Sequence, residues 1–136
     1  MNLNDNKTIV YLTASDIYNV NDSVTDGHTF VRDLNLLNSA VERPKIVLFG
    51  EAQFPTLIDK AASLLHSLAY HHLFVDGNKR TAVYSLVLFL EKNGYQLNWD
   101  EDAAQSFILD VAQGKHDVPE VAAWLAPHIE PLELEE

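Results

Sequence analysis

Two long segments with apolar side chains at helical spacing, separated by a short polar segment, constrain the fold of this chain more than any other feature of its sequence. Over residues 55–72, apolar side chains recur at three- and four-residue spacing, which is typical of an amphipathic α-helix with Pro55 in its first turn. Over residues 79–93, apolar side chains nearly encircle the helix, and Gly94 is placed to end it. We therefore predict two helices, the second of which is the central and most buried element.

Weaker patterns predict further helices and one small β element. The predicted helices are a short one after Thr13 with Asp16 in its capping box, one from about Asp33 to Glu42 stopped by Pro44, one from Asp100 to Gly114, and one from Asp117 through Leu125. Over residues 46–54, β-prone side chains precede Gly50, which can turn the chain, so we predict a short hairpin or flap. The expected fold class is all-α, a compact helical bundle with a short β flap.

The length and composition are those of one globular domain. With 136 residues, 47% of them apolar, and no cysteine, the chain can build a core without disulfides. We expect a single domain over residues 1–136, with an acidic tail at about 130–136 that is flexible. The polar start has no signal-peptide shape, and the longest apolar stretch is too short to span a bilayer. The expected protein is cytoplasmic and does not associate with membranes.

The charge balance restricts the partners. Nine Lys and Arg residues against twenty Asp and Glu residues give a net charge of −11, which argues against a nucleic-acid partner. A site for an anion must therefore be built from a few neighbouring cations and backbone N–H groups. The one place where cations stand side by side is Lys79 and Arg80.

The segment between the two strongest helices, HLFVDGNKR, concentrates groups that bind anions. Gly77 allows a ligand to approach the backbone closely, and Asn78 is expected to be the N-cap of the following helix. The free N–H groups of that helix start suit phosphate oxygens, and Arg80 can add a bidentate contact. Lys79 and Arg80 place positive charge at the positive end of the helix dipole, which is unfavourable unless an anion binds there. Their position therefore favours an anion site over a helix start that is merely solvated.

Asp76 and His72 add the groups that a transfer reaction needs. Asp76 offers a hard oxygen ligand to Mg²⁺, and His72 can take a proton from an attacking hydroxyl near neutral pH. Taken alone, His72 is more often a structural or surface residue, and the residues around Asp76 could form a simple turn. The assignment therefore depends on the whole segment. We interpret His71 as incidental, and Trp99 and Trp124 as packing residues.

The segment HLFVDGNKR resembles the signature of the Fic/Doc family, HxFx(D/E)GN(G/K)R, at all seven constrained positions. GNKRTA, followed by an apolar helix and NG, resembles the Doc (death on curing) branch. RPKIVLFG and FPTLIDKAASLLHSLAYHH resemble the flap and the helix that precede the motif in Doc-like proteins. The resemblance covers residues 41–94 well and the ends only in helical outline. It implies a compact Fic/Doc-type fold whose loop binds ATP and Mg²⁺ and transfers part of the nucleotide to a protein hydroxyl.

The resemblance also implies a role for each motif residue. His72 would be the general base, Asp76 the Mg²⁺ ligand, Gly77, Asn78 and Lys79 the anion-binding loop, and Arg80 a further phosphate ligand. Phe74 would anchor the loop in the core. The flap would align the target peptide by pairing with it as a strand.

Two positions depart from the pattern of adenylyl-transferring Fic proteins. Lys79 stands where those proteins usually have Gly, and Val83 stands where they have a second Arg. Both departures are similar to Doc, which transfers the γ-phosphoryl group of ATP to a threonine of elongation factor Tu. The resemblance therefore implies a toxin of a toxin–antitoxin module that inhibits translation by phosphorylating a Ser or Thr hydroxyl of an elongation factor Tu-like target.

Three alternatives stay open. The chain could be a Fic-type protein adenylyltransferase, or a catalytically inactive Fic-fold interaction module. A helical nucleic-acid binder that uses Lys79 and Arg80 is disfavoured by the net charge.

Fic proteins are normally inhibited by a helix with the motif [S/T]xxxE[G/N], whose Glu contacts the second Arg. The sequence contains no such motif, and Val83 stands where that Arg would be. The Doc resemblance therefore implies a separate Phd-like antitoxin, with a segment that is disordered when free and folds as a helix in an apolar groove of this domain.

Overall fold

The computed structural model describes residues 8–133 and shows a helical bundle with two small sheets. Within these residues the six α-helices are α1 (Ala14–Val24), α2 (Leu34–Glu42), α3 (Leu57–Tyr70), α4 (Asn78–Lys92), α5 (Glu101–Ala112) and α6 (Val118–Leu125). Short 3₁₀ turns follow α2 and α6, at Arg43–Lys45 and Ala126–His128. The strands are β1 (Val47–Leu48), β2 (Glu51–Ala52), β3 (Tyr95–Leu97) and β4 (Ile129–Pro131). The predicted class, an all-α bundle with a short β flap, is confirmed.

Side-chain caps set the helix starts that the sequence predicts. Thr13 and Asp16 form a capping box at α1, in which Asp16 N–H donates to Thr13 Oγ1 at 3.1 Å. Asp33 and Asp100 cap α2 and α5, and Asp117 belongs to a capping box at α6. Each cap satisfies an N–H group that the first turn of a helix leaves without a backbone partner.

The central helix is α3 and not α4. Ten of the 14 residues of α3 are buried, against six of the 15 residues of α4. α3 packs against α2, α4, α5 and α6, whereas one side of α4 carries half-buried Val83 and Val87 and exposed Tyr84. The prediction that α4 is the most buried element is therefore wrong. Apolar side chains on a helix can line a cleft as well as a core, and their pattern in sequence is the same in both cases.

The ends of α3 differ slightly from their predicted places. Thr56 caps the helix through a box with Asp59, so Pro55 lies before the helix and not in its first turn. The helix ends at Tyr70, so His72 lies in the following loop and not at the helix end.

The start of α4 also differs from the prediction. Gly77 is the N-cap, with a φ of 75°, and Asn78 is the first helical residue. The prediction that Asn78 caps the helix is wrong because both polar atoms of its side chain are bonded to the backbone of Phe74.

The predicted flap is a hairpin in which β1 pairs antiparallel with β2. Its tip residues, Phe49 and Gly50, have φ angles of 53° and 79°, and the Phe49 side chain is fully exposed. At the base of the hairpin, buried Lys60 of α3 donates to the carbonyls of Pro44 and Phe54 and so fastens both legs. The flap leads into the start of α3, whereas residues 71–77, called here the motif loop, follow its end. The helix itself is roughly 21 Å long.

A second sheet, not predicted from the sequence, pairs β3 antiparallel with β4. Gln96 Nε2 donates to Glu130 Oε1 at 2.9 Å across this pair, which joins positions 34 residues apart. The tail that we expected to be flexible from about residue 130 therefore begins with a paired strand, and this part of the expectation is wrong. Residues 134–136 of the tail lie outside the described residues. Three-residue strands are too short for a hydrophobic period to show from sequence.

Both ends of the described chain are fastened at the end of α4. Val10 N–H donates to Asn93 Oδ1, and Asn93 Nδ2 donates to Val10 C=O, each at 2.9 Å. At the next position, Gly94 C=O accepts from Leu132 N–H at 3.0 Å. The first and last described segments therefore meet at this point.

One cluster of buried apolar side chains unites all six helices. Its largest fully buried members include Phe74 of the motif loop and Phe89 of α4. The motif loop is thus attached to the core of the bundle. In the part of the chain from residue 8 to residue 133, no helix combines the length and the apolarity that crossing a membrane requires.

Candidate active site

The loop between α3 and α4 is held in place by a buried ring and by backbone pairing. Phe74 is 1% exposed and forms an isolated antiparallel bridge with Val31. Beside this bridge, Arg32 N–H donates to Leu73 C=O at 2.7 Å. Phe74 therefore lies where the family resemblance implied, with its ring in the core and its backbone paired to the segment before α2.

Asn78 gives the loop its shape. Its Oδ1 accepts from Phe74 N–H at 3.0 Å, and its Nδ2 donates to Phe74 C=O at 2.8 Å. The bridge to Val31 is made by the neighbouring backbone groups, so the side-chain amide of Asn78 satisfies the N–H and C=O of Phe74 that the bridge leaves free. Because both polar atoms are engaged, the contribution of the Asn78 side chain is to the conformation of the loop.

The start of α4 presents positive charge and N–H donors. Among the described residues no side chain caps it, and its first turn carries no acidic residue. Lys79 and Arg80 are both exposed in this turn. Thr81 N–H bonds to Gly77 C=O at 2.8 Å, and helix geometry leaves the N–H groups of the three preceding residues without intrahelical partners. An anion at this position would meet the helix dipole and both cations.

Asp76 and Arg80 lie at the edge of this anion site. Arg80 Nη1 donates to Val24 C=O at 2.8 Å, and its Nη2 is 3.9 Å from Asp76 Oδ2. Asp76 Oδ1 accepts from Gly77 N–H at 2.8 Å. The Asp76 and Arg80 side chains are 75% and 57% exposed, and an exposed pair of this length contributes about 1 kcal/mol at most. The Asp76 carboxylate therefore remains accessible to a ligand.

His72 and His71 have different surroundings. His71 ends α3, and its ring packs against Tyr70 with the centroids 5.1 Å apart. His72 is exposed. Its ring has no hydrogen-bond partner within residues 8–133, unlike the rings of His28, His66, His116 and His128. The His71 ring also has no hydrogen-bond partner in this part of the chain, but it is only half-exposed. Of the two adjacent histidines, His72 therefore has the ring that is more accessible to a ligand.

Asn21 of α1 belongs to the site but was missed from the sequence. It is fully buried, and its Nδ2 donates to Asp76 C=O at 2.8 Å and lies 3.0 Å from Thr81 Oγ1. It thereby ties the motif loop and α4 to α1. Only a weak sequence pattern points to Asn21. It follows buried Ile17 by four residues, so a polar side chain occupies the core face of α1.

A cleft of about 560 Å³ opens between α4 and α5 beside Lys79 and Arg80, and is called here the α4–α5 cleft. Tyr84 lines it from α4 and Leu109 from α5, and their side chains are 56% and 45% exposed. Trp99 lines it from the segment before α5. A second cleft of about 390 Å³ continues along α4 and shares Tyr84 and Trp99. No pattern in the sequence indicates this cleft, since it depends on how two helices pack.

Trp99 has two environments. It packs against Trp124 with ring centroids 5.7 Å apart, and Trp124 is stacked on Phe107 at 4.2 Å. The interpretation of Trp99 and Trp124 as packing residues is therefore confirmed. In addition, Trp99 contributes to the wall of the α4–α5 cleft.

The residues of the site fit a magnesium ion that is bound together with phosphate. Within residues 8–133, no group of three or more His, Asp or Glu side chains could hold a metal ion. Mg²⁺, however, is commonly bound by one or two carboxylates together with phosphate oxygens and water. Asp76 supplies one accessible carboxylate at the start of α4, where phosphates would lie.

Comparison with known families identifies the fold. The model of the Fic/DOC family matches residues 11–90, which is more than half of the chain. The chain belongs to the Fic/DOC family. The match begins before α1 and ends within α4, so the Fic/DOC region contains the flap, α3 and the whole motif loop.

Two curated relatives support membership of the Doc branch of the Fic/DOC family. Toxin Doc of Mycolicibacterium smegmatis (strain ATCC 700084 / mc(2)155) is 42% identical over 118 residues, which are 85% of this chain and 91% of the relative. Protein kinase doc of Escherichia phage P1 is 38% identical over 69 residues, which are 51% of this chain and 54% of the phage protein. The resemblance to the Doc branch is confirmed.

Proposed function

We propose that this Fic/DOC protein is a toxin of the Doc type, a kinase that transfers the γ-phosphoryl group of ATP to a Ser or Thr hydroxyl of a protein. The observation that carries the proposal is that one short loop joins an exposed His72 to the uncapped, cation-bearing start of α4. A base and a phosphate site are thereby held on one rigid scaffold. Relatives named Toxin Doc and Protein kinase doc support it further.

His72 is the general base of the proposed reaction. It accepts the proton of the target hydroxyl while the hydroxyl oxygen bonds to the γ-phosphorus, and ADP leaves with the bridging oxygen. The N–H groups of the first turn of α4, with Lys79 and Arg80, hold the phosphate oxygens, and Gly77 and Asn78 shape the approach to them. Asp76 would hold Mg²⁺, which would offset the negative charge of the phosphates.

Lys79 and Val83 favour phosphorylation over adenylylation. The Lys79 side chain takes up space in the first turn of α4, where a glycine would let an α-phosphate approach the backbone closely. Val83 lines the α4–α5 cleft and offers no charge to a triphosphate. Both features favour a nucleotide whose γ-phosphate lies nearest His72, which is the arrangement that in-line phosphoryl transfer requires.

The proposed target is an elongation factor Tu-like protein, aligned by the flap. A peptide paired with β1 or β2 would be held in an extended conformation by backbone hydrogen bonds. This mode of alignment favours a target hydroxyl in an exposed, extended loop over one in a helix.

The proposed partner is a Phd-like antitoxin with a segment that folds on binding. The α4–α5 cleft has apolar walls suited to an amphipathic helix, and it begins at Lys79 and Arg80. A segment seated there would cover the anion site. Expression of this chain without its partner is therefore expected to arrest growth.

The decisive experiment uses ATP labelled separately at the α and γ positions. The purified chain is incubated with elongation factor Tu and Mg²⁺, and the target is examined by intact mass and for each label. We expect the γ label and the mass of one phosphoryl group. Transfer of the α label instead would assign an adenylyltransferase, and absence of both labels would refute this target.

The variant Lys79→Gly serves as the internal control for the choice of reaction. We expect it to transfer less γ label and some α label, because the first turn of α4 is then open to the α-phosphate. The same ratio of γ to α label in the parent and in Lys79→Gly would contradict the role given to Lys79.

A further inference from the structure

The α4–α5 cleft opens at the same end of α4 as the anion site. Lys79 and Arg80 belong to both, and Tyr84 follows Arg80 by one turn, a rise of about 6 Å along the helix. The cleft volume of about 560 Å³ lies within the range of small-molecule sites, about 300–1,000 Å³. A ligand with its phosphates at the start of α4 can therefore place the rest of its length in the cleft.

The walls of the cleft have the chemistry of a site for an aromatic ring. Trp99 is held by its packing against Trp124, which is itself stacked on Phe107, so the cleft-lining indole is fixed in place. Tyr84 lines the cleft from α4 and is 56% exposed. An exposed aromatic and a fixed one that line the same cleft are elements from which a base-stacking site can be built.

Polar side chains are placed along the same cleft. Glu101 and Gln105 lie one turn apart on α5 and line it. Their carboxylate and amide oxygens can accept from the exocyclic amine of a base, and the Gln105 amide N–H groups can donate to ribose hydroxyl oxygens. Val83 also lines the cleft and has a short, uncharged side chain.

We propose that the α4–α5 cleft holds the nucleoside of the phosphate donor, with its base against Trp99 and Tyr84 and its triphosphate at the start of α4. The inference rests on the proposed function and deepens it, because it names where the base and ribose lie. It also has a regulatory consequence: a partner segment in the same cleft and a nucleotide exclude each other.

The test compares two ligands that differ only in the presence of a nucleoside. ATP and inorganic tripolyphosphate, each with Mg²⁺, are titrated calorimetrically into the full chain, into Tyr84→Ala, and into Tyr18→Ala, which removes an exposed tyrosine of α1 as the matched control. We expect Tyr84→Ala to weaken ATP binding about tenfold and to leave tripolyphosphate binding unchanged. Tyr18→Ala should change neither affinity.

Tryptophan fluorescence supplies a second readout. ATP, but not tripolyphosphate, is expected to quench the parent emission, and Trp99→Phe is expected to lose that quenching while Trp124 still emits.

The outcomes separate this inference from the proposed function. If the parent binds ATP but Tyr84→Ala binds it equally well and no base-dependent quenching occurs, the base lies elsewhere and the inference fails, while the kinase proposal stands. If Tyr84→Ala weakens ATP and tripolyphosphate equally, the effect belongs to the phosphates and the inference also fails. If the parent binds neither ligand, both proposals fail.

Discussion

At the scale of single residues, His72 can be removed with little effect on the fold, because its ring is exposed and makes no hydrogen bond within residues 8–133. In the proposed reaction the same ring accepts the proton of the target hydroxyl. We expect His72→Ala to lower the transfer rate by about 10²–10⁴-fold. Its melting temperature should equal that of the parent. Labelled ATP and thermal unfolding measure the two quantities on the same preparations.

His71→Ala is the matched control, one position away. The His71 ring packs against Tyr70, whereas its cap on α3 is made by the backbone N–H and survives the substitution. The variant should therefore lose only the stability of the ring contact and keep most of the transfer rate. Loss of activity in His71→Ala with full activity in His72→Ala would reverse the assignment of the two histidines.

His66 makes stability depend on pH. Burial lowers its pKa from the ordinary value of 6.5, and the neighbouring Arg43 guanidinium, 3.2 Å from Nδ1, lowers it further. As the pH falls through 6.5, His66 is therefore protonated in the unfolded chain before it is protonated in the folded chain, and the free energy of unfolding declines. We expect the parent to lose more free energy of unfolding between pH 7.5 and 5.5 than His66→Gln does, measured by urea titration. Equal losses would exclude His66 as the cause.

At the scale of secondary-structure elements, the motif loop depends on α1 as much as on its own residues. Asn21 bonds to the backbone of Asp76, and the carbonyl of Val24 accepts from Arg80. The contiguous motif could be recognised from sequence because its residues follow one another. The contribution of α1 could not, since Asn21 lies 55 residues away from its partner and belongs to no local pattern.

At Gly77 the motif loop lies directly against the end of α1. A Cβ on Gly77 would lie 3.1 Å from Thr25 Cγ2 and 3.2 Å from Val24 Cγ2, and its φ of 75° disfavours other residues. Gly77→Ala should therefore lose about 1–2 kcal/mol of unfolding free energy from its backbone conformation, and more from the contact with α1. Urea titration measures the total.

Gly27→Ala separates the two contributions to that loss. Gly27 has a similar φ of 83°, but a Cβ there would meet nothing within 4 Å. This variant should show the conformational cost alone. Equal losses in Gly77→Ala and Gly27→Ala would mean that the packing of α1 against the loop contributes nothing.

The elements that could be predicted are those with local causes. Thr13, Asp33, Asp100 and Asp117 cap the helices that their sequences predict, since a cap acts on the next three residues. The pairing of β3 with β4 and the α4–α5 cleft depend on which distant surfaces meet, and no short window of sequence contains that information. The same reason explains the error over α4, whose apolar residues divide between core and cleft.

At the scale of the whole molecule, one core cluster joins all six helices, so the prediction of a single domain can be tested by unfolding. We expect one cooperative transition in urea, with the same midpoint by circular dichroism and by tryptophan fluorescence. Trp99 and Trp124 report on the region of α5 and α6, whereas circular dichroism averages over all helices. Two separate midpoints would show that the chain contains two cooperative units.

The meeting of the first and last described segments beside Asn93 and Gly94 has a consequence for how the polypeptide can be connected. These segments meet at the end of α4, a helix length of roughly 22 Å from the motif loop. A circularly permuted protein, in which a linker joins the segment at Val10 to the segment at Leu132 and new ends are opened between Phe49 and Gly50, should therefore fold to the same bundle. Such a protein would keep α3, the motif loop and α4 continuous while freeing the two legs of the flap from each other, so its transfer rate would measure what the closed hairpin contributes.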